Sequence, residues 1–430
     1  MNKQFAKGEI MISVNKLIYL SAAAALLCCS GCMFKGTNIE DNKDIFETYK
    51  SAASVYISDK SESEITENKF ETSYNITDYS KNIGYYTSSF TEKEQNAFNE
   101  IYNGIMDYQT EIDIDSGIVN VNDIGDFLTF LTSVCSEIHQ LSGNYGLYTD
   151  DNGYVTGLEM NYSRNKKIGT KELFVINEKI DQICENASSL SEYDKIKYFH
   201  DYIVQNCRYD ANGDNIYSAY GCLIEGKAVC EGYSKAFAML CKKSGIPCIN
   251  ILGEAKDEKN QTQSHMWNMV NLDGSWYHID ITWDDPKNLF GNNYIRYDYF
   301  NVNDDMIKSD HKPISNKYMN YPKANKTDKN LFIKQELYIY DYSNSKSVVE
   351  QIVKKCLLNG EEYIRFRCQS EKKYQSVIND LFSKSDNNSG FFSILENAVD
   401  EIGVQVSTDE YSIVENNNTK VITIQLKEKN

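Results

Sequence analysis

The stretch GKAVCEGYSKAFAML, residues 226–240, sets a single thiol, Cys230, at the start of an apolar helical repeat. Tyr233, Ala236, Phe237, Leu240 and Cys241 recur at helical spacing and define one face made for burial. Gly245 stops the repeat and Pro247 prevents its continuation. A thiol is an odd way to open a helix, because Ser, Thr, Asp and Asn are the residues that cap first-turn N–H groups. Its advantage is electrical. The orphan N–H groups and the positive end of the helix dipole favour an anion, and can bring a thiol pKa from about 8.5 towards about 3.5–7.5. The ionised sulfur is a nucleophile, and the same N–H groups suit an oxyanion forming on an attacked carbonyl.

Such a thiol needs a base, and the base needs an orienting group. Two of the five histidines come shortly after it, in SHMWNMVNLDGSWYHIDITWDDP, residues 264–286. The segments HMWNMVNL and SWYHIDITW are aromatic and branched, and Asp273-Gly274 between them is a two-residue hairpin turn. That turn sets Leu272 opposite Ser275 and Trp267 opposite Asp280. His265 then lies diagonal to Asp280, ~7–8 Å away at the backbone, within side-chain reach. His265 is the candidate base and Asp280 the candidate orienting carboxylate; a slip of one residue turns Asp280 to the other face. His278, opposite Met269, is the rival base, on the same face as Asp280 but nearer the turn. His139 and His200 sit among apolar residues on helical segments and read as structural, and His311 falls in a linker.

These elements must be held by a larger chain. Its 430 residues suffice for two or three cores, and 41% hydrophobic with 25% charged residues suits a globular protein. A formal charge of -18 argues against nucleic acid as a partner, since phosphate binding needs clustered Lys and Arg. From Met11 the chain reads MISVNKLIYLSAAAALLCCSGC, the layout of an export signal. Its apolar run, Leu17–Leu27, falls short of the about 20 residues that span a bilayer. CSGC at 29–32 resembles a lipoprotein box with Cys32 as the lipidated residue, although Cys29 stands where Leu is usual. An extracytoplasmic chain anchored to the membrane by that lipid is expected, with plain secretion if the box is unused. Beyond the signal nine cysteines remain, an odd number with no C-x-x-C and no zinc-type spacing, so no metal or cofactor is expected.

A polar tether is expected over 33–90 and a mainly helical region over 91–189. In the latter, Thr91 and Glu94 form a capping box ahead of a helix, and DIGDFLTFLTSVCSEIHQL carries another apolar stripe. Asn152-Gly153 is a hairpin turn, KELFVINEKIDQICENA is a helix, and Ser191 with Asp194 caps the helix that opens the core, 190–311. YIRYDYFNV reads as a strand, and 312–330 as a linker holding two of the four prolines. Residues 331–430 read as a small α+β domain: helix SVVEQIVKKCLLNG, strand EEYIRFRC, two more helices, and a hairpin at ENNNTK.

Taken together, AYGCLIEGKAVCEGYSKAFAMLCKKSGIPC and the His265–Asp280 hairpin resemble the core of the transglutaminase-like superfamily, a branch of papain-like thiol enzymes. The likeness lies in Gly-x-x-x-Cys-x-Gly-Tyr on a helix, His-x-Trp-Asn on a strand and Trp-Tyr-His-x-Asp-x-Thr-Trp on the next; YDYFNVNDDMIKSDH is similar to the segment found after these in bacterial members. It spans about residues 190–311, with Met266 where many relatives carry Ala. The resemblance implies an α+β, papain-like core with a nucleophile helix packed on an antiparallel sheet. It also implies Cys230 as nucleophile, His265 as general base and Asp280 as orienting carboxylate, performing acyl transfer on protein or peptide amides, with cell-wall strands a further partner. Water as acceptor gives hydrolysis and a lysine amine gives a cross-link; the residues leave both open, as they do an inactive binding module using the same cleft and a disulfide-stapled adhesin.

Overall fold

A computed structural model describes residues 90–257, 260–285, 294–382 and 390–428. The expected export signal, Cys32 and the tether up to residue 89 lie outside the described residues. Among the described residues no helix is long and apolar enough to cross a membrane.

The N-terminal region begins with α1 (Glu92–Met106), closed by the capping box: Glu94 N–H donates to Thr91 Oγ1, and Thr91 N–H donates to the Glu94 carboxylate at 2.9 Å. After β1 (Glu111–Asp113), α2 (Ile124–Val134) places Phe127, Phe130 and Leu131 in the same cluster as Phe98 and Ile101 of α1. β2 (Leu141–Thr149) and β3 (Val155–Tyr162) form the hairpin around Asn152-Gly153, and β1 joins them in the order β1-β3-β2. The helical region thus carries a three-stranded sheet. α3 (Lys166–Asn186) starts ahead of its apolar periodicity because Asn165 caps it, accepting from the Ile168 N–H.

The central part contains α4 (Glu192–Asn206), capped by Ser191, then β4 (Arg208–Tyr209), α5 (Ala219–Leu223) and β5 (Lys227–Ala228). Next come α6 (Cys230–Lys243), β6 (Cys248–Lys256), β7 (Thr262–Leu272) and β8 (Ser275–Ile279). α7 (Ile281–Asp284), β9 (Phe300–Val302), α8 (Asp304–Ile307) and β10 (His311–Pro313) complete it. Five strands form one antiparallel sheet, β10-β6-β7-β8-β9. Period-two alternation makes it two-faced. Val270, Leu272, Tyr277 and Ile279 share a core with Tyr233, Phe237 and Leu240 of α6, while Ile249, Ile251, Trp267 and Met269 join Phe98, Phe127 and Phe130. With helices on both sides, the register of β7 is costly to slip.

Two sequence expectations are corrected here. The strand expected to run through Trp283 ends at Ile279, because the Asp280 carboxylate accepts the Trp283 N–H at 3.1 Å and caps α7 instead of continuing the ladder. Of YIRYDYFNV only Phe300–Val302 is strand. The residues ahead of it dock on the C-terminal unit: Tyr294 donates to Thr423, and Arg365 and Arg367 donate to the carbonyls of Ile295 and Asp298.

That unit comprises α9 (Leu331–Lys334), β11 (Tyr338–Ile339), α10 (Ser345–Leu358), β12 (Tyr363–Cys368) and α11 (Glu371–Val377), which runs into a π-turn, Ile378–Phe382. α12 (Phe391–Ile402) and the hairpin β13 (Val406–Asn416) and β14 (Val421–Glu428) come next, giving a sheet β11-β12-β14-β13. Its apolar side is continuous with the core under α6. Residues 314–330 hold neither helix nor strand, yet Tyr318 packs edge-on against Phe90 and Phe127, and β10 crosses the boundary expected at 311.

Candidate active site

Cys230 is the first residue of α6, buried at 4% exposure, and the N-cap Val229 makes no side-chain capping bond. The positive end of the helix is therefore turned on the thiol itself. Gly232, two residues on, lets this turn press against the preceding loop: a Cβ there would stand 2.6 Å from the Ile216 carbonyl oxygen and 2.7 Å from Ala228 Cβ.

The β7–β8 turn sets Leu272 against Ser275, as two linking residues require, and carries Met269 opposite His278. His265 Nε2 meets Asp280 Oδ2 at 2.6 Å, both side chains out of solvent. The Cys230 thiol is a further hydrogen-bonding and charge partner of His265. With Nε2 on the carboxylate, Nδ1 is the ring nitrogen left to serve the sulfur. Trp267 stacks on the ring at 6.0 Å and Trp283 lies tilted over it at 5.4 Å, which fixes its plane. Burial alone would strip the imidazole of its proton. The Asp280 carboxylate, its hydrogen bond and the Cys230 sulfur outweigh that and push the His265 pKa up to about 9. Burial likewise works against an ionised Asp280, but His265 and His311 hold its pKa well below the usual carboxylate range.

A buried polar lattice fastens strand to helix. Asn268 Nδ2 donates to the Ser234 carbonyl of α6 at 3.1 Å and to Asn250 Oδ1 of β6 at 2.7 Å. Ser234 Oγ donates to the Met266 carbonyl at 2.9 Å, and Asn250 Nδ2 donates to the Ser133 carbonyl at 2.7 Å. The Asn of His-x-Trp-Asn thus couples the strand bearing His265 to the helix bearing Cys230.

His278 is not placed to act on the thiol. Its Nδ1 accepts the Trp267 indole N–H at 3.0 Å, its Nε2 donates to Asp304 at 3.0 Å, and burial lowers its pKa despite that carboxylate. His200 lies between Asp201 at 2.9 Å and Asp284 at 3.1 Å, and His139 pairs with Glu172 at 3.2 Å. His311 is the residue that sequence reasoning missed. It is buried, its Nε2 stands 2.9 Å from Asp280 Oδ2 and its Nδ1 2.5 Å from Asp310 Oδ1. The available signal was the acidic neighbour in SDH, inside a segment already similar to the family.

Donor atoms of His265, Asp280 and His311 lie within 4.8 Å of one another, a spacing that merits testing as a metal centre. Ligands ~2.0–2.1 Å from a tetrahedral ion stand about 3.3 Å apart. The 2.6 and 2.9 Å separations to Asp280 are shorter and match shared protons. The nine cysteines among the described residues are all unbridged, which does not support a disulfide-stapled chain.

Residues 180–281 match the model of the Transglutaminase-like superfamily, a span that contains Cys230, His265 and Asp280 and ends ahead of His311. The kyphoscoliosis peptidase of Mus musculus is 27% identical over 120 residues, covering 25% of this chain and 18% of that protein. The kyphoscoliosis peptidase of Homo sapiens is 38% identical over 64 residues, covering 13% of this chain and 10% of that protein. The chain therefore spans under a fifth of the length of the curated relatives it matches. A crystal structure described as a TGase is similar over 38% of this chain and 49% of that chain, at 18% identity and a TM-score of 0.23.

Proposed function

We propose that this chain is an exported, lipid-anchored thiol enzyme of transglutaminase-like type that performs acyl transfer on amide bonds. The observation that carries the reading is the run Asp280–His265–Cys230 at the N-terminus of α6, in which His265 is bonded to Asp280 at 2.6 Å and has the Cys230 thiol as its other polar partner. The Cys230 thiolate attacks an amide carbonyl carbon; a C–S bond forms and the carbonyl electron pair moves to oxygen, beside the first-turn N–H groups. As the tetrahedral adduct collapses the C–N bond breaks, and His265 Nδ1–H gives its proton to the departing amine. A thioester remains. Water or a second amine then attacks it, His265 Nδ1 takes the nucleophile's proton, and the thiolate leaves. Asp280 stays ionised throughout and holds the imidazole in the tautomer and plane this exchange needs.

The substrates in this reading are proteins or peptides presenting a glutamine, lysine or peptide amide, including cell-wall strands. Incubating the purified chain with a peptide library and a primary amine tests it by mass spectrometry. Hydrolysed or amine-bearing products that vanish in Cys230→Ala support acyl transfer. Retention of peptides without any product, unchanged in Cys230→Ala, replaces the enzyme with a surface binding module using the same cleft. Anchoring through Cys32 has its own check: a membrane-fraction chain whose N-terminal peptide carries a diacylglyceryl mass on that residue.

A further inference from the structure

Asp280 does not serve His265 alone. Its Oδ2 takes a second imidazole, His311 Nε2, at 2.9 Å, and its Oδ1 takes the Trp283 N–H at 3.1 Å. The opposite nitrogen of His311 meets Asp310 Oδ1 at 2.5 Å, and Asp310 Oδ2 accepts the Tyr299 hydroxyl at 2.7 Å. An ionised carboxylate can accept but not donate, so a ring clamped between two of them carries a proton on each nitrogen. The surroundings fit a cation: the rings of Trp283, Trp267 and Tyr299 stand 4.6, 5.0 and 5.2 Å from it. Gly253 makes room for the strand that brings it in, since a Cβ there would lie 2.5 Å from both the Lys312 carbonyl oxygen and the Trp267 ring.

We infer that His311, held cationic by Asp310 and Tyr299, is a positioning residue that shares Asp280 with His265 and moderates how strongly Asp280 holds the His265 proton. The inference rests on the acyl-transfer reading of the site. Asp280 unshared would press the full field of a buried carboxylate on His265 and make its imidazolium reluctant to release a proton to the leaving amine. A second cation on the same oxygen weakens that hold without removing the hydrogen bond that fixes the ring. The groups facing His311 are Asp280, His265, Asp310 and Tyr299, with His278 within its electrostatic reach. Burial opposes its charge, but Asp280 and Asp310 prevail and push its pKa up to about 9, in line with the geometry.

The arrangement also reaches the C-terminal unit. Tyr299 is the next residue after Asp298, whose carboxylate accepts from Arg296 at 2.8 Å, Asn416 at 2.7 Å and Thr419 at 3.1 Å. Docking of the β13–β14 hairpin thereby sets the segment from which Tyr299 holds Asp310.

The test is the pH profile of Cys230 alkylation by iodoacetamide, read by peptide mass spectrometry in the full chain, in His311→Gln and in Asp310→Asn. Gln keeps a donor towards Asp280 but carries no charge. With the rings 5.4 Å apart, losing the His311 charge moves the alkaline limb that reports His265 upward by on the order of one pH unit, and Asp310→Asn moves it the same way by less. A limb that stays in place or moves down, with only the overall rate altered, overturns the inference and leaves His311 as packing. Wild-type Cys230 reacting no faster than the other thiols, and indifferently to His265→Ala, overturns instead the acyl-transfer reading. Should neither variant fold, ¹⁵N-histidine NMR of the wild-type chain reads the same charge. Resonances assigned one by one with His139→Asn, His200→Asn, His265→Ala and His278→Asn leave that of His311, and a ring doubly protonated through pH 8 supports the inference, whereas a neutral ring at pH 7 overturns it.

Discussion

Replacing Asp280 by Asn removes one charge and leaves a side chain of the same shape, so it isolates what the carboxylate does electrically. His265 has its pKa pushed up to about 9 against burial, with Asp280 the leading cause among those that raise it. Measured from an ordinary histidine near 6.5, the gap is about 2.5 units, on the order of 3 kcal/mol favouring the imidazolium. Burial has already been offset within that gap, and part of the rise belongs to the Cys230 sulfur, so the carboxylate, the larger of the two raising partners, contributes at least on the order of 2 kcal/mol. Asp280→Asn should therefore cut the fraction of thiolate–imidazolium pair at pH 7 by about 10- to 100-fold, and selective alkylation of Cys230 with it. Above pH 9, where a thiol ionises unaided, variant and wild type should converge. Stopped-flow alkylation resolved by peptide mass spectrometry across pH 5–10 reads both ends, with a thermal melt confirming a folded variant. A variant rate at pH 7 within threefold of wild type would refute the electrostatic role given to Asp280.

The same geometry sets other expected outcomes. Asn268→Leu removes two buried hydrogen bonds, those from its Nδ2 to the Ser234 carbonyl and to Asn250 Oδ1, and should cost about 1–3 kcal/mol in urea unfolding while lowering Cys230 reactivity. Gly232→Ala forces a Cβ to within 2.6 Å of the Ile216 carbonyl oxygen, so about 1–3 kcal/mol of stability should be lost and the first turn of α6 displaced, seen as a lower Tm with slower alkylation. His200 has its pKa raised to about 8, burial opposing and Asp201 and Asp284 prevailing. A raised histidine stabilises in full below about 6.5 and stops doing so as pH climbs through 8; the Tm advantage of wild type over His200→Asn should shrink between pH 6.5 and 9. Its partner Asp284, buried and pushed up to about 6, loses its charge on the acid side, so the pair is fully charged only from about pH 6 to 8.

Much of this arrangement is legible in the sequence, for physical reasons that differ by element. The β7–β8 register comes from one two-residue turn, since Asp273-Gly274 with Asp273 at φ 51 permits a single pairing and the period of two does the rest. The caps at Thr91 and Ser191 are legible because their bonds are local. His311 is not. β10 is three residues long and exists only because it pairs with β6, so nothing in its own pattern marks a strand. The end of β8 at Ile279 is hidden for a related reason: Asp280 suits either a ladder or a cap, and the choice is made by the imidazoles and the helix turn that meet it in space. Likewise residues 294–299 have strand composition but spend their polar groups on Thr423, Arg365 and Arg367, more than sixty residues away in sequence.

The claim on which everything turns is that Cys230, assisted by His265, accepts an acyl group. p-Nitrophenyl acetate offers a carbonyl and a good leaving group, so brief exposure, an acid quench and peptide mass spectrometry read the thioester directly. An acetyl adduct on Cys230, removed by hydroxylamine and lost in His265→Ala, is the predicted result. Acetylation that spares Cys230, or that spreads evenly over the thiols and persists without His265, would contradict it.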